Sequence, residues 1–234
     1  MAPAERFLKD KVRARLNMVS NQLRPNGIGN AQLIQAFESV PMEAFVPPAI
    51  QSLVYADADL PLTEGSVPGR WLLAPVTLGK LLQLADIQSS DKVLIVGCGV
   101  GYSVALVVEL AASVVGVESY EDLARVATIY GLDRGISNVE VVIGALSIGY
   151  PKEAPYDVIL IEGAVDKIPP ILTQQLAPEG RLVTVIKRQT GIGQKEFGKG
   201  VLITRRGDTL VESRKFDANC PHLPEFEPDL RFRL

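Results

Sequence analysis

The chain has 234 residues, 47% hydrophobic and 22% charged, a balance that excludes a disordered or low-complexity protein and suits one α/β domain with an appendage. Lysine and arginine (24) nearly offset aspartate and glutamate (27), the net charge is −3, and no basic block is dense enough to grip a phosphate backbone, so no nucleic-acid partner is expected. No apolar run approaches the ~20 residues of a membrane span, and the charged stretch through Leu16 lacks the core of a secretion signal, so no membrane partner is expected either. Two cysteines, Cys98 and Cys220, and one histidine, His222, point to a reduced cytoplasmic protein without a His/Cys metal site.

In chain order, residues 7–23 read as an amphipathic helix with Val12, Leu16, Val19 and Leu23 on one face and Lys9, Asp10, Lys11, Arg13 and Arg15 on the solvated one. Asn30 caps a second helix over 31–40, with Leu33, Ile34 and Phe37 inward. Pro41, Pro47 and Pro48 punctuate an irregular stretch, and residues 60–75 read as a long loop with Gly65, Pro68 and Gly69. A helix over 76–84 leads into an alternation: strands near 92–97, 114–118, 139–143, 156–162 and 181–187, helices near 102–112, 120–130 and 167–176. Such alternation predicts a parallel sheet with helices on both faces. Residues 200–206 and 209–213, joined by Gly207-Asp208, read as a closing antiparallel hairpin. His222 sits in the tail beside Pro221 and Pro224, as a surface or packing residue.

The segment Val93-Leu94-Ile95-Val96-Gly97-Cys98-Gly99-Val100-Gly101-Tyr102 carries the chemistry. A buried strand meets glycines at alternate positions and then a helix start, and glycines there let a ligand approach the backbone closely. The next apolar run, Val114 to Val117, ends at Glu118, where a carboxylate can accept hydrogen bonds from both hydroxyls of a ribose. Strand, turn, helix and acid together mark a nucleoside-cofactor site. A nicotinamide dehydrogenase and an S-adenosylmethionine methyltransferase both fit; the reversed hairpin, the Tyr156-Asp157-Val158-Ile159-Leu160-Ile161 strand and the Leu176-Ala177-Pro178-Glu179-Gly180-Arg181-Leu182 approach favour the second.

From about residue 15 to 187 the chain resembles the protein-L-isoaspartate O-methyltransferase family. The narrow segments are Gln22-Leu23-Arg24, Val40-Pro41-Met42-Glu43-Ala44-Phe45-Val46-Pro47 and Gly149-Tyr150-Pro151-Lys152-Glu153-Ala154-Pro155-Tyr156-Asp157; the glycine turn and Pro178-Glu179-Gly180-Arg181-Leu182 are shared more widely. The tail, Phe216-Asp217-Ala218 through Leu223-Pro224-Glu225-Phe226-Glu227, resembles a bacterial branch. The resemblance implies a Rossmann-like seven-stranded sheet, mostly parallel with a C-terminal antiparallel hairpin and an N-terminal helical extension. It implies one domain over 1–234, with residues 1–75 as a substrate cap and 76–234 as the cofactor core with hairpin and tail.

It also implies methyl transfer from S-adenosyl-L-methionine, leaving S-adenosyl-L-homocysteine, to the free carboxylate of an isoaspartyl residue in a damaged protein or peptide; the sequence leaves the oligomeric state open, with a monomer favoured. Gly97, Cys98, Gly99, Gly101, Tyr102, Glu118, Ser119, Gly144, Ala145, Leu146, Glu162 and Gly163 are the expected cofactor contacts, with Cys98 acting through its backbone. The family carries Gly-Gln-Thr-Ile-Ser-Gln-Pro before the helix that precedes the glycine turn; here Gly69-Arg70-Trp71-Leu72-Leu73-Ala74-Pro75 places Arg70, Trp71 and Leu73 at the substrate pocket. Arg70 could pair with a substrate carboxylate through its fork of donors. Ile95 and Ala145 stand where the family has acids toward the methionine amine and the adenine amine. These departures keep two alternatives open: a methyltransferase with another acceptor, and a non-catalytic relative that keeps the fold for binding.

Overall fold

A computed structural model describes residues 3–62, 69–133, 137–187 and 198–226. Gly65, Pro68 and Glu227, singled out above, lie outside the described residues. The chain opens with helix α1 (Pro3–Met18), a π-turn (Val19–Leu23) and α2 (Ala31–Ser39). Two short strands, β1 (Leu60–Pro61) and β2 (Trp71–Leu72), precede α3 (Pro75–Ala85). The alternating part follows as β3 (Lys92–Val96), α4 (Tyr102–Val107), β4 (Ser113–Glu118), α5 (Glu121–Asp133), β5 (Val139–Ile143), β6 (Tyr156–Val165), α6 (Pro170–Thr173) and β7 (Leu176–Ile186). Strands β8 (Gly198–Arg206) and β9 (Thr209–Ala218) form the hairpin.

Seven strands make one sheet in the order β5-β4-β3-β6-β7-β8-β9. The first five pair in parallel, β8 runs antiparallel to β7, and β9 antiparallel to β8, so β8 alone is reversed. The order reverses direction between β3 and β6, and in an open α/β sheet the crevice beyond the carboxyl ends at such a switch point is where ligands bind. Successive side chains of the central strands fall into two core layers. Ile95 and Leu160 join one, packed with α3, α4 and the N-terminal residues Leu23, Phe37 and Phe45. Val96 and Ile161 join the other, closed by Leu146, Leu172, Leu223 and Phe226.

Several elements differ from the sequence expectation for identifiable reasons. Val12 and Leu16 are exposed, and Met18, Val19 and Leu23 face the core. The π-turn shifts the helical phase, and Arg15 takes the inward position because its Nε donates to Glu38 O (2.8 Å) and its Nη1 lies 3.7 Å from Glu43 Oε2. The stretch expected as a loop folds partly into the β1–β2 pair, Leu60 opposite Leu72 and Pro61 opposite Trp71. Helix α3 is capped from afar, Asp59 and Asp57 accepting from the N–H groups of Ala74 (2.8 Å) and Val76 (3.1 Å). The helix expected over 167–176 is a single turn. Leu176 already pairs with Tyr156, and a register shift absorbs the Pro178-Glu179-Gly180 corner before Arg181 meets Val158. Among the described residues no helix is long and apolar enough to cross a membrane, and no three His, Cys, Asp or Glu side chains group as metal ligands.

Candidate cofactor site

The Gly97–Gly101 turn is built on left-handed backbone, with φ of 80° at Gly97, 54° at Gly99 and 87° at Gly101. Only glycine takes such values without strain. At Gly101 the need is also one of packing: an added Cβ would lie 2.7 Å from Ala127 Cβ and 2.9 Å from its Cα, so α5 crosses directly over the turn. The turn is tied to β4 by Gly97 N–H and Cys98 N–H, which both donate to Val117 O (2.8 and 3.2 Å). Cys98 and Cys220 are free and buried. Burial pushes the Cys98 thiol well up, with Glu118 and Glu162 adding to it, so it is an inert packing group.

Register places an acid on each side of Gly97. Val96 pairs with Val117 on β4 and with Ile161 on β6, so the next residue, Gly97, is flanked by Glu118 and Glu162. Glu118 is fully buried. Its carboxylate accepts from the N–H groups of Gly99 (2.8 Å), Ser119 (2.8 Å) and Tyr120 (3.1 Å), and forms an ion pair with Arg70 Nη2. Glu162 is 5% exposed and accepts from Ser103 Oγ on the first turn of α4. Burial raises its carboxyl to about 8, a shift that the Ser103 hydrogen bond and the Arg70 charge oppose and Glu118 reinforces.

Arg70, 2% exposed, reaches from the residue before β2 across the glycine turn. A Cβ added at Gly97 would lie 3.1 Å from Arg70 Nη2 and 3.0 Å from Leu223 Cδ2; one at Gly99 would lie 3.0 Å from Leu62 Cδ1. One layer of side chains therefore covers the turn, and side chains can swing aside where backbone cannot. Leu223 arrives on the tail. Ala164 N–H donates to Pro221 O and Leu223 N–H to Ala164 O (both 2.9 Å), which lays residues 221–223 along the end of β6. A Cβ on Gly163 would come within 2.6 Å of Leu223 Cγ. His222, a packing residue by sequence, has Nε2 3.1 Å from Lys187 O and 3.4 Å from Asp166 Oδ1.

The remaining expected residues fall around this centre. Ser119 contributes its N–H to Glu118. Gly144 N–H donates to Glu118 O (3.0 Å), which puts the 144–146 loop beside the acid. Ala145 is exposed, while Leu146 is buried and its N–H donates to Glu225 Oε2 (2.8 Å). Tyr102 is buried behind the turn, its ring edge-on to Phe37 (6.3 Å) and Phe45 (5.4 Å), and so links α4 to the N-terminal segment. Trp71 is 38% exposed beside Arg70, whereas Leu73 is buried in the core. Sequence reasoning missed Leu62, Leu223 and Glu225. Each reaches the site from a loop or tail whose local pattern carries no periodic signal; the signals that touched them were the family-like Leu60-Pro61-Leu62 segment and the tail's resemblance to a bacterial branch.

The residues suit a nucleoside ligand carrying positive charge: a glycine turn one side-chain layer deep, a buried acid already directed at that turn, and a second acid opposite. Residues 14–213 match the family model described as protein-L-isoaspartate(D-aspartate) O-methyltransferase. The protein-L-isoaspartate O-methyltransferase of Koribacter versatilis is 38% identical over 210 residues, 90% of this chain and 89% of that one. Its Methanoculleus marisnigri counterpart is 38% identical over 174 residues, 74% of this chain and 77% of that one. Among solved structures, a protein-L-isoaspartate O-methyltransferase superposes with a TM-score of 0.75 at 24% identity, over 89% of this chain and 65% of that one. A Plasmodium falciparum protein described as the same enzyme, in complex with S-adenosyl-L-homocysteine, gives 0.70 at 18% identity, over 90% and 98%.

Proposed function

The chain belongs to the protein-L-isoaspartate(D-aspartate) O-methyltransferase family, and from that premise we propose that it methylates the free carboxylate of isoaspartyl residues in damaged proteins, with S-adenosyl-L-methionine as donor. The observation that carries the reading is the glycine turn at the sheet's switch point with buried Glu118 aimed into it, in a chain that matches the family from residue 14 to 213. Gly97, Gly99 and Gly101 hold the cofactor's backbone-facing edge, Glu118 its ribose hydroxyls, and Gly144 to Leu146 border the adenine. When bound, the cofactor supplies a methyl group on a sulfonium, a good leaving group.

A carboxylate is already a nucleophile at neutral pH, so the chain's own task is to strip it of water and hold it in line with the methyl. Arg70 is suited to the holding. Its guanidinium lies at the cofactor site, and once it leaves Glu118 it presents a planar fork to an incoming carboxylate. Trp71, 38% exposed next to it, walls the entry, and buried Leu73 anchors the end of β2 in the core. Residues 1–75 thereby act as the substrate cap on the 76–234 core. We read the chain as a cytoplasmic monomer with no nucleic-acid or membrane partner, in keeping with its free buried thiols and net charge of −3.

The test is calorimetric titration with S-adenosylhomocysteine, followed by transfer of labelled methyl to an isoaspartyl peptide and its aspartyl twin. Binding with label on the isoaspartyl peptide alone is expected. Binding with no label on either peptide would move the acceptor to another carboxylate or hydroxyl, a reading that the loss of pocket hydroxyls at Trp71 and Leu73 favours. No binding would leave a fold used for something else.

A further inference from the structure

The resemblance places Glu162 among the cofactor contacts without saying which part of the cofactor it meets, and its surroundings set it apart. It follows Ile161, the register partner of Val96, and so stands beside Gly97 on the side opposite Glu118. Its side chain points to the sheet face that carries Ile95 and Leu160, where it meets Ser103. Ile95, on that face two residues before Gly97, is apolar and fully buried, so β3 itself brings no acid to the turn. A cation already lies between the two acids: Arg70, which pairs with Glu118, lies over Gly97 and is felt at Glu162. Two buried carboxylates served by one internal guanidinium form a cation site. When Arg70 yields its place to a nucleoside, Glu118 can turn to neutral hydroxyls, and Glu162 loses the guanidinium charge that favours its ionised form.

We propose that Glu162 anchors the α-ammonium group at the amino-acid end of the bound cofactor, with Arg70 as its internal stand-in when no ligand is bound. This rests on the cofactor reading above. Anchoring from β6 is specific to the amino-acid end, because Glu118 and the 144–146 loop lie on the other side of Gly97, along β4 and β5.

The test compares three ligands by calorimetry on the full chain: S-adenosylhomocysteine, its analogue lacking the amino group, and 5′-methylthioadenosine, which lacks the whole amino-acid part. Glu162→Gln keeps the shape and the Ser103 contact but cannot ionise to meet the ammonium. A lost charge-assisted hydrogen bond predicts that this variant binds S-adenosylhomocysteine about ten- to a hundredfold more weakly and the other two unchanged. Equal loss for all three ligands would show a merely structural role and overturn the proposal, as would undiminished affinity for S-adenosylhomocysteine. If the unaltered protein binds none of the three, the cofactor reading itself fails; if it binds all three equally, that reading stands and the anchor falls.

A second readout needs no variant. Affinity for S-adenosylhomocysteine should rise between pH 6 and 8, by up to about tenfold per unit, as the carboxyl beside Ser103 loses its proton to meet the ammonium. The groups facing it are Arg70, Glu118 and the Cys98 thiol. Affinity for 5′-methylthioadenosine should stay flat over that range. Parallel profiles for the two ligands would overturn the assignment.

Discussion

Replacing Arg70 by methionine should make the protein less stable and its cofactor binding tighter. The guanidinium is 2% exposed and paired with a carboxylate that is fully buried, so the pair is shielded from solvent and salt. Breaking a buried pair by deleting one partner commonly costs about 3–5 kcal/mol. Here Glu118 keeps three backbone N–H donors, from Gly99, Ser119 and Tyr120, so the loss should fall to about 1–3 kcal/mol. For a chain of this size, that lowers the melting temperature by roughly 2–12 °C. Ligand binding runs the other way. A ribose can take Glu118 only after the guanidinium leaves, and a hydrogen bond to a charged group is worth about 1.5–3 kcal/mol. Arg70 regains part of that in water or on a substrate carboxylate, so the net gain for Arg70→Met should be near the lower end, about tenfold in S-adenosylhomocysteine affinity. Titration calorimetry and thermal melts with and without ligand read both quantities, and peptide kinetics should show a raised KM. Affinity that is unchanged or weaker, in a variant that still melts cooperatively, would refute the idea that Arg70 and the cofactor compete for one place.

Gly101→Ala should cost roughly 3 kcal/mol or more, from a side chain at φ 87° and a Cβ 2.9 Å from the Ala127 backbone, and the melt should fall by about 6 °C or more. Ala145→Asp should tighten adenosine binding by about tenfold, since it adds an acceptor on the loop that Gly144 ties to Glu118; unchanged affinity would remove adenine from that loop. Glu162 also sets a pH dependence of stability. With its folded value near 8 and an ordinary value near 4.3, the folded state holds a proton that the unfolded chain has lost, so stability falls as pH rises between them by up to about 1.4 kcal/mol per unit. Denaturant melts from pH 5 to 9 should show that slope relative to Glu162→Gln and a level difference above pH 8; parallel curves would contradict it.

The legible parts of this molecule were those written in a short span of chain. Residues 93–102 and 114–118 encode strand, turn, helix and acid within one βαβ unit, and both lie where the sequence reading put them. The alternating core was legible for the same reason, since each strand is a continuous apolar run flanked by turn residues. Errors arose where distant partners decide. Arg15 lies on the inward face of α1 because Glu38 and Glu43 await it there, which no periodicity in residues 7–23 can announce. Leu176 joins β7 rather than a helix because Tyr156 is its partner across the sheet. Leu223 and Glu225 come to the site because the tail pairs with Ala164, a contact between segments some sixty residues apart.

The two acids missing from the turn's own strand and loop are informative in the same way. Read along the chain, Ile95 and Ala145 look like losses that weaken cofactor binding. In the folded sheet, Glu162 stands on the strand beside Ile95 and on its face, and Glu225 holds the backbone next to Ala145. Charge near a ligand is a property of positions in space, and neighbouring parallel strands offer equivalent positions at their carboxyl ends. A carboxylate on β6 rather than β3 stands beside Gly97 itself, with Ser103 as its helix partner and a buried setting that raises its carboxyl to about 8. On the proposed assignment, the same fold keeps a cation site while altering the pH range in which that site is charged. Glu118, on the other side of the turn, is held in place by three N–H donors.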